Sequence, residues 1–270
     1  MLRQDLIAQI YKKKSLLSVG LDTDITRIPQ HLIDQYDDPV FEFNKRIIEQ
    51  TSDHCVAYKF NIAFYESLGP SGWESLEKSM ELIPSDIFTI ADAKRGDIGN
   101  TSSLYARTFF ETYDFDAITV SPYMGSDSLE PFYGYDDKWV IILGLTSNKG
   151  SQDFQMQDLA DGRKVYQQVI ERCMGYGTVD NTMFVVGATQ PDYLKAIRQI
   201  APDHFYLMPG IGKQGGNLEL SLEYGVNKDH GLLINSSRGI IYASGGADFA
   251  QAVGKEAITL NESIKSYYTF

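Results

Sequence analysis

The chain has 270 residues, 43% of them hydrophobic and 12% aromatic, enough to bury a large core in one domain. A formal net charge of −12 argues against nucleic acid or an anionic membrane surface as the main partner, so an anionic ligand would need a local cationic pocket. Only Cys55 and Cys173 occur, without metal-ligand spacing, which argues against a disulfide framework and a zinc site. No stretch approaches a membrane span and the first residues lack a signal-peptide apolar core, so we expect a cytoplasmic protein.

In chain order two periodicities alternate. Leu2, Leu6 and Ile10 share one helical face that ends at Lys12-Lys13-Lys14, and Leu16 to Asp22 follows as an apolar strand ending on an acid. Val40, Phe43 and Ile47 mark the next helix; Cys55 to Phe60 is the second strand, ending at Lys59 and Asn61, with Cys55 a small core residue. The third strand, Asp86 to Ala91, is followed by Asp92, Lys94 and Asp97. A helix over Leu104 to Thr112 leads to the fourth strand, Asp116 to Pro122, and Trp139 to Ser147 is the fifth. Val165, Val169 and Cys173 predict the buried face of a helix over 162–174, and Met183 to Thr189 the sixth strand. Thr189 and Pro191 start a helix buried through Tyr193, Leu194, Ile197 and Ile200. Phe205 to Gly210 and Gly231 to Ser237 complete eight strands, and a helix through Phe249, Val253 and Ala257 closes the chain. Eight buried strands alternating with helices predict a single (β/α)8 TIM barrel domain over residues 1–270, with a doubly wound open sheet as the alternative.

The polar residues fall where such a barrel builds its sites. Asp22, Lys59, Asp92, Lys94, Ser147 and Arg238 all stand at carboxyl ends of predicted strands. In an extended segment residues two apart share a face, so Asp92 and Lys94 project together, and Gly96 with Gly99 can turn the chain to bring Asp97 back. Carboxylates and ammonium groups so placed are costly to bury unless they pair. After strand seven comes Pro209-Gly-Ile-Gly-Lys-Gln-Gly-Gly216, and after strand eight Ser236-Ser-Arg-Gly239. Glycines there expose backbone N–H groups to an anion, Arg238 adds a charged contact, and loops seven and eight commonly hold phosphate in this architecture. Gly210-x-Gly212-x-x-Gly215 also matches the dinucleotide fingerprint, but strand eight ends in Asn235-Ser-Ser rather than the ribose-binding acid that fingerprint requires. The polar segment 148–162 is a lid candidate.

Asp92-Ala-Lys-Arg-Gly-Asp97-Ile-Gly-Asn-Thr101 closely resembles the signature of the orotidine 5′-phosphate decarboxylase family, particularly its longer bacterial subfamily. The likeness covers nearly the whole chain, with Gly20-Leu-Asp22, Tyr58-Lys59, Thr146-Ser147, Pro209 to Gln214 and Ser237-Arg238 in family order. The resemblance implies that Lys59, Asp92, Lys94 and Asp97 form an alternating charged network, with Lys94 the proton donor to C6 and Asp97 supplied by the partner of a homodimer. It implies that Asp22 and Thr101 hold the ribose, Ser147 the pyrimidine, and Gln214 with Arg238 the phosphate. The activity implied is decarboxylation of orotidine 5′-phosphate to UMP with neither metal nor organic cofactor. One departure is Ser237, where many members carry glycine.

Two alternatives stand beside it. A metal-dependent sugar-phosphate decarboxylase of the same suprafamily would share the D-x-K-x-x-D core but place an acid at the position of Lys59. A non-enzymatic phosphate-ligand sensor would keep Gln214 and Arg238 and has no need of Lys94.

Overall fold

The computed structural model describes residues 1–187, 191–210 and 217–270. Eight strands close into a barrel in sequence order: β1 (Leu17–Gly20), β2 (Ala57–Asn61), β3 (Phe88–Arg95), β4 (Ala117–Val120), β5 (Trp139–Leu145), β6 (Thr182–Val186), β7 (Phe205–Pro209) and β8 (Leu232–Ser236). Every neighbouring pair is parallel, including β8 with β1, so the open-sheet alternative is excluded. The strands read as apolar runs because the barrel interior covers one face and the helices the other.

The helix α1 (Arg3–Lys13) seals the amino end of the barrel, with Leu6 and Ile10 fully buried. Its Arg3 donates to the carbonyls of Val179 and Asp203 at 2.6 and 2.7 Å and pairs with Asp229 at 3.1 Å, tying together the segments that enter β6, β7 and β8. The open mouth is therefore the carboxyl end. Around the barrel run α2 (Gln30–Gln35), α3 (Pro39–Thr51), α4 (Ile62–Glu66), α5 (Pro70–Glu81), α6 (Gly99–Arg107), α7 (Ser126–Leu129), α8 (Val165–Cys173), α9 (Pro191–Ile200), α10 (Leu218–Gly225), α11 (Arg238–Ile241) and α12 (Phe249–Tyr267). Asp38 caps α3 by accepting from Phe41 N at 3.0 Å, and Val40, Phe43 and Ile47 form its buried face as the spacing predicts. Among the described residues no helix is long and apolar enough to cross a membrane.

Some elements differ from the sequence expectation. The third strand runs on through Arg95, and the helix after it starts at Gly99 and ends in a π-helical turn, Thr108–Thr112. The buried face of α8 is Tyr166, Ile170 and Cys173, while Val165 and Val169 are half-buried. The helix α5 carries little apolar periodicity because it buries small residues, Gly72, Ser75 and Ser79, around Leu76. Its serines are paired instead: Ser75 donates to Asp38 at 2.7 Å, and Ser79 accepts from Asn44 at 3.0 Å. The helix start expected at Thr189 and the phosphate-loop residues 211–216, Gln214 among them, lie outside the described residues.

Candidate active site

The carboxyl mouth opens into a cavity of about 550 Å³, with Asp22, Lys59, Asp92, Lys94 and Arg238 among its lining residues. Strand pairing positions the charged group. Ser18, Val19 and Gly20 of β1 pair with Ala57, Tyr58 and Lys59 of β2, and Asn61 pairs with Asp92 of β3, so these side chains issue from adjacent strand ends. Lys59, 4% exposed, places its ammonium 3.3 Å from Asp22 Oδ1 and 2.9 Å from Asp92 Oδ2. Asp92 Oδ1 is in turn 2.6 Å from the ammonium of Lys94. The four groups form one alternating chain, Asp22–Lys59–Asp92–Lys94.

The electrostatics follow from that order. Burial opposes ionisation of Asp92 most strongly, but the Lys59 and Lys94 ammonium groups outweigh it and hold the carboxyl below its ordinary range. Burial also works against the charge of Lys59, and Asp22 and Asp92 reverse it, so this ammonium is held above its ordinary range. Both groups therefore stay charged at neutral pH, inside a wall that excludes most solvent.

The Asp92–Lys94 contact does not arise from simple strand alternation. Lys94 sits at φ +50, in the left-handed region, and the β3–β4 register shifts between Ala91 and Arg95. A bulge of this kind re-aims a side chain at a cost in backbone strain. Thr119 of β4 stabilises it: its hydroxyl accepts from Lys94 N at 2.9 Å and donates to Asp92 Oδ1 at 3.0 Å. Sequence reasoning missed Thr119 because a threonine inside an apolar strand carries no functional signal. Arg27 also lines the cavity and was missed, while Asn61, Asn235 and Ser237, named in the sequence as strand endings or as the residue before Arg238 but given no role, line it too. Arg27 lies 3.8 Å from the Tyr242 ring centroid, and the Tyr242 hydroxyl accepts from Asp24 N at 2.7 Å and donates to Asp22 O at 3.1 Å. That contact ties the loop after β1 to the residues following Arg238.

Other expected residues are placed differently. Ser147 lines a neighbouring cavity of about 440 Å³ with Thr146, Asn148, Met156, Gly187 and Tyr193. A Cβ at Gly187 would meet the Ser147 backbone N at 2.9 Å, so the close approach of the two strand ends requires glycine there. Ser147 itself is exposed, and it is the preceding Thr146 that holds the segment 148–162, its N donating to Gln155 Oε1 at 2.8 Å and its Oγ1 to Asn148 at 2.6 Å. Asp97 and Thr101 are not brought into the charged cavity of their own chain. Asp97 accepts from the adjacent Ile98 N at 2.7 Å, and Thr101 is exposed on α6. Cys55 and Cys173 are buried, and burial pushes each thiol up to about 12, which makes both inert core residues.

Residues 15–253 match the model of the orotidine 5′-phosphate decarboxylase / HUMPS family. An orotidine 5′-phosphate decarboxylase of Phocaeicola vulgatus is 54% identical over 258 residues, covering 94% of each chain. The solved structure of Leishmania donovani OMP decarboxylase is 41% identical, with a TM-score of 0.84 and coverage of 99% of this chain and 98% of that one. The Leishmania donovani UMP synthase structure is 43% identical with the same TM-score of 0.84; the match covers 97% of this chain and 55% of that longer chain. A full-length match at such identity, on a barrel with this charged mouth, settles the family: the chain belongs to the orotidine 5′-phosphate decarboxylase / HUMPS family.

Proposed function

We propose that this chain decarboxylates orotidine 5′-phosphate to UMP without metal or organic cofactor. The observation that carries the reading is the alternating chain Asp22–Lys59–Asp92–Lys94 at the barrel mouth, in one cavity with Arg238. Loss of CO₂ breaks the bond to C6 and leaves the electron pair in an sp² orbital that the pyrimidine π-system cannot delocalise. A preorganised ammonium beside that carbon stabilises the developing charge and then delivers its proton. Lys94 is that group. It is half-exposed at the mouth and anchored on one side by Asp92, so it can face a bound ring. Asp92 lies next to the departing carboxylate, and Lys59 keeps it ionised. Lys59 also stands between two carboxylates where a metal-dependent relative would need a ligand, which weighs against that alternative.

Asp22 and Thr101 hold the ribose hydroxyls, Ser147 the pyrimidine, and Gln214 with Arg238 the phosphate, whose binding energy draws the 148–162 segment closed. Asp97 and Thr101 act in the site of a twofold-related copy, making a homodimer with shared sites. Their absence from their own cavity supports this, as do the exposed apolar residues beside them: Ile98 and Leu104, with Tyr123 and Met124 after β4. Neither nucleic acid nor membrane takes part, and the enzyme works in the cytoplasm on a small-molecule substrate.

The test adds orotidine 5′-phosphate to metal-stripped protein and follows loss of its ultraviolet absorbance. Turnover unaffected by EDTA is expected. Activity abolished by EDTA and restored by magnesium would replace the reading with the metal-dependent one.

A further inference from the structure

Ser237 puts a hydroxyl directly before Arg238, at the wall of the charged cavity. The geometry behind that hydroxyl is organised from the barrel interior. Ser18 of β1 and Asn235 of β8 are paired across the ladder and almost fully buried. Ser18 Oγ donates to Asn235 Oδ1 at 3.2 Å, which leaves the Asn235 amide to donate to Ser237 Oγ, also at 3.2 Å. Ser237 Oγ thus serves as an acceptor from below, and among the described residues its own proton has no acceptor. A hydroxyl already accepting a hydrogen bond is polarised into a better donor. The site is also shaped to hold it: a Cβ added at Gly20 would fall 1.9 Å from Ser237 Oγ, so the side chain occupies space that only glycine at position 20 leaves open.

Resting on the decarboxylase reading, we infer that Ser237 donates its hydroxyl proton to a phosphate oxygen of the nucleotide beside Arg238, with Asn235 the positioning residue that fixes the hydroxyl. An anion at this wall meets a guanidinium and an oriented O–H together. The relay runs from strand β1 to strand β8, so phosphate recognition is anchored in the barrel ladder as well as in the loops above it.

The test measures binding of UMP and of uridine by calorimetry to the whole protein, comparing wild type with Ser237→Ala, Asn235→Ala and the double variant. Ser237→Ala is expected to weaken UMP roughly tenfold, the loss of one hydrogen bond to a charged group, and to leave uridine unchanged. Asn235→Ala is expected to lower the UMP-to-uridine preference when Ser237 is present and to leave it unaltered when position 237 is alanine. A purely structural role would weaken both ligands alike, so equal losses, or an unchanged UMP affinity in Ser237→Ala, overturn the inference while the decarboxylase reading stands. A wild-type protein that binds UMP no more tightly than uridine overturns both.

Discussion

Replacing Thr119 with valine keeps shape and volume and removes one hydroxyl from the centre of the charged site. That hydroxyl accepts from Lys94 N at 2.9 Å and donates to Asp92 Oδ1 at 3.0 Å, and Thr119 is fully buried. The variant loses a hydrogen bond to a carboxylate, a loss of about 1.5–3 kcal/mol, and leaves the Lys94 N–H with no acceptor, a further penalty of about 1–3 kcal/mol. The added methyl recovers about 0.8 kcal/mol, so the net destabilisation is about 2–5 kcal/mol. Catalysis suffers separately, because Lys94 sits at φ +50 and relies on this contact to keep its backbone in place. We expect kcat to fall about ten- to a hundredfold, since misplacing a catalytic group by a fraction of an ångström is costly. Urea unfolding at neutral pH and steady-state loss of orotidine 5′-phosphate absorbance measure the two effects, with Thr119→Ser as the variant that restores both. If Thr119→Val matches wild type within about 0.5 kcal/mol and within twofold in kcat, the role assigned to the hydroxyl is wrong.

Four further outcomes are expected. Lys94→Ala should lose several orders of magnitude in turnover while still binding UMP; retention of a tenth of wild-type kcat would remove it as proton donor. Arg238→Ala should cost about 2–4 kcal/mol in kcat/KM on the nucleotide and little on orotidine, and equal losses on both would refute the phosphate contact. Mixing Lys94→Ala and Asp97→Ala homodimers should return about a quarter of sites to activity after subunit exchange, whereas continued inactivity in verified hybrids would exclude a shared site. His204 is buried with neither ring nitrogen hydrogen-bonded among the described residues, and burial, helped by Arg3 and Arg198, lowers it to about 4. The unfolded chain takes up this proton near pH 6.5, so stability should fall by about 1–3 kcal/mol from there toward pH 4, and His204→Phe should flatten that decline in melting curves. An identical pH profile for the variant would show that His204 titrates without strain.

The barrel was legible because buried parallel strands leave uninterrupted apolar runs, and a polar residue closing such a run is conspicuous. Asp22, Lys59, Asp92 and Lys94 could be found that way, and the structure joins all four. What escaped depends on which strand lies beside which and in what register. Thr119 matters only because β4 lies against the bulge at Lys94, and Asn235 only because Ser18 faces it across the barrel closure. The helix α5 was invisible because its buried face is made of serines and a glycine, whose partners are side chains of α3 and the residue that caps it. Ser147 was recognisable as a strand ending, but that it lines a neighbouring cavity, beside a Thr146 bonded to Gln155 and Asn148, depends on how the segment 148–162 folds back.

The buried Lys59 has an evolutionary consequence. Flanked by Asp22 and Asp92, it balances two carboxylates, so any substitution that removes its charge leaves them facing each other across a desolvated gap. An acid at this position would gather three carboxylates against the single ammonium of Lys94, a cluster that needs a bound divalent cation or the uptake of protons. A neutral residue at position 59 is therefore a costly intermediate on any mutational path out of the present arrangement. Acquiring a metal in the same step, or first removing Asp22 or Asp92, relieves that cost.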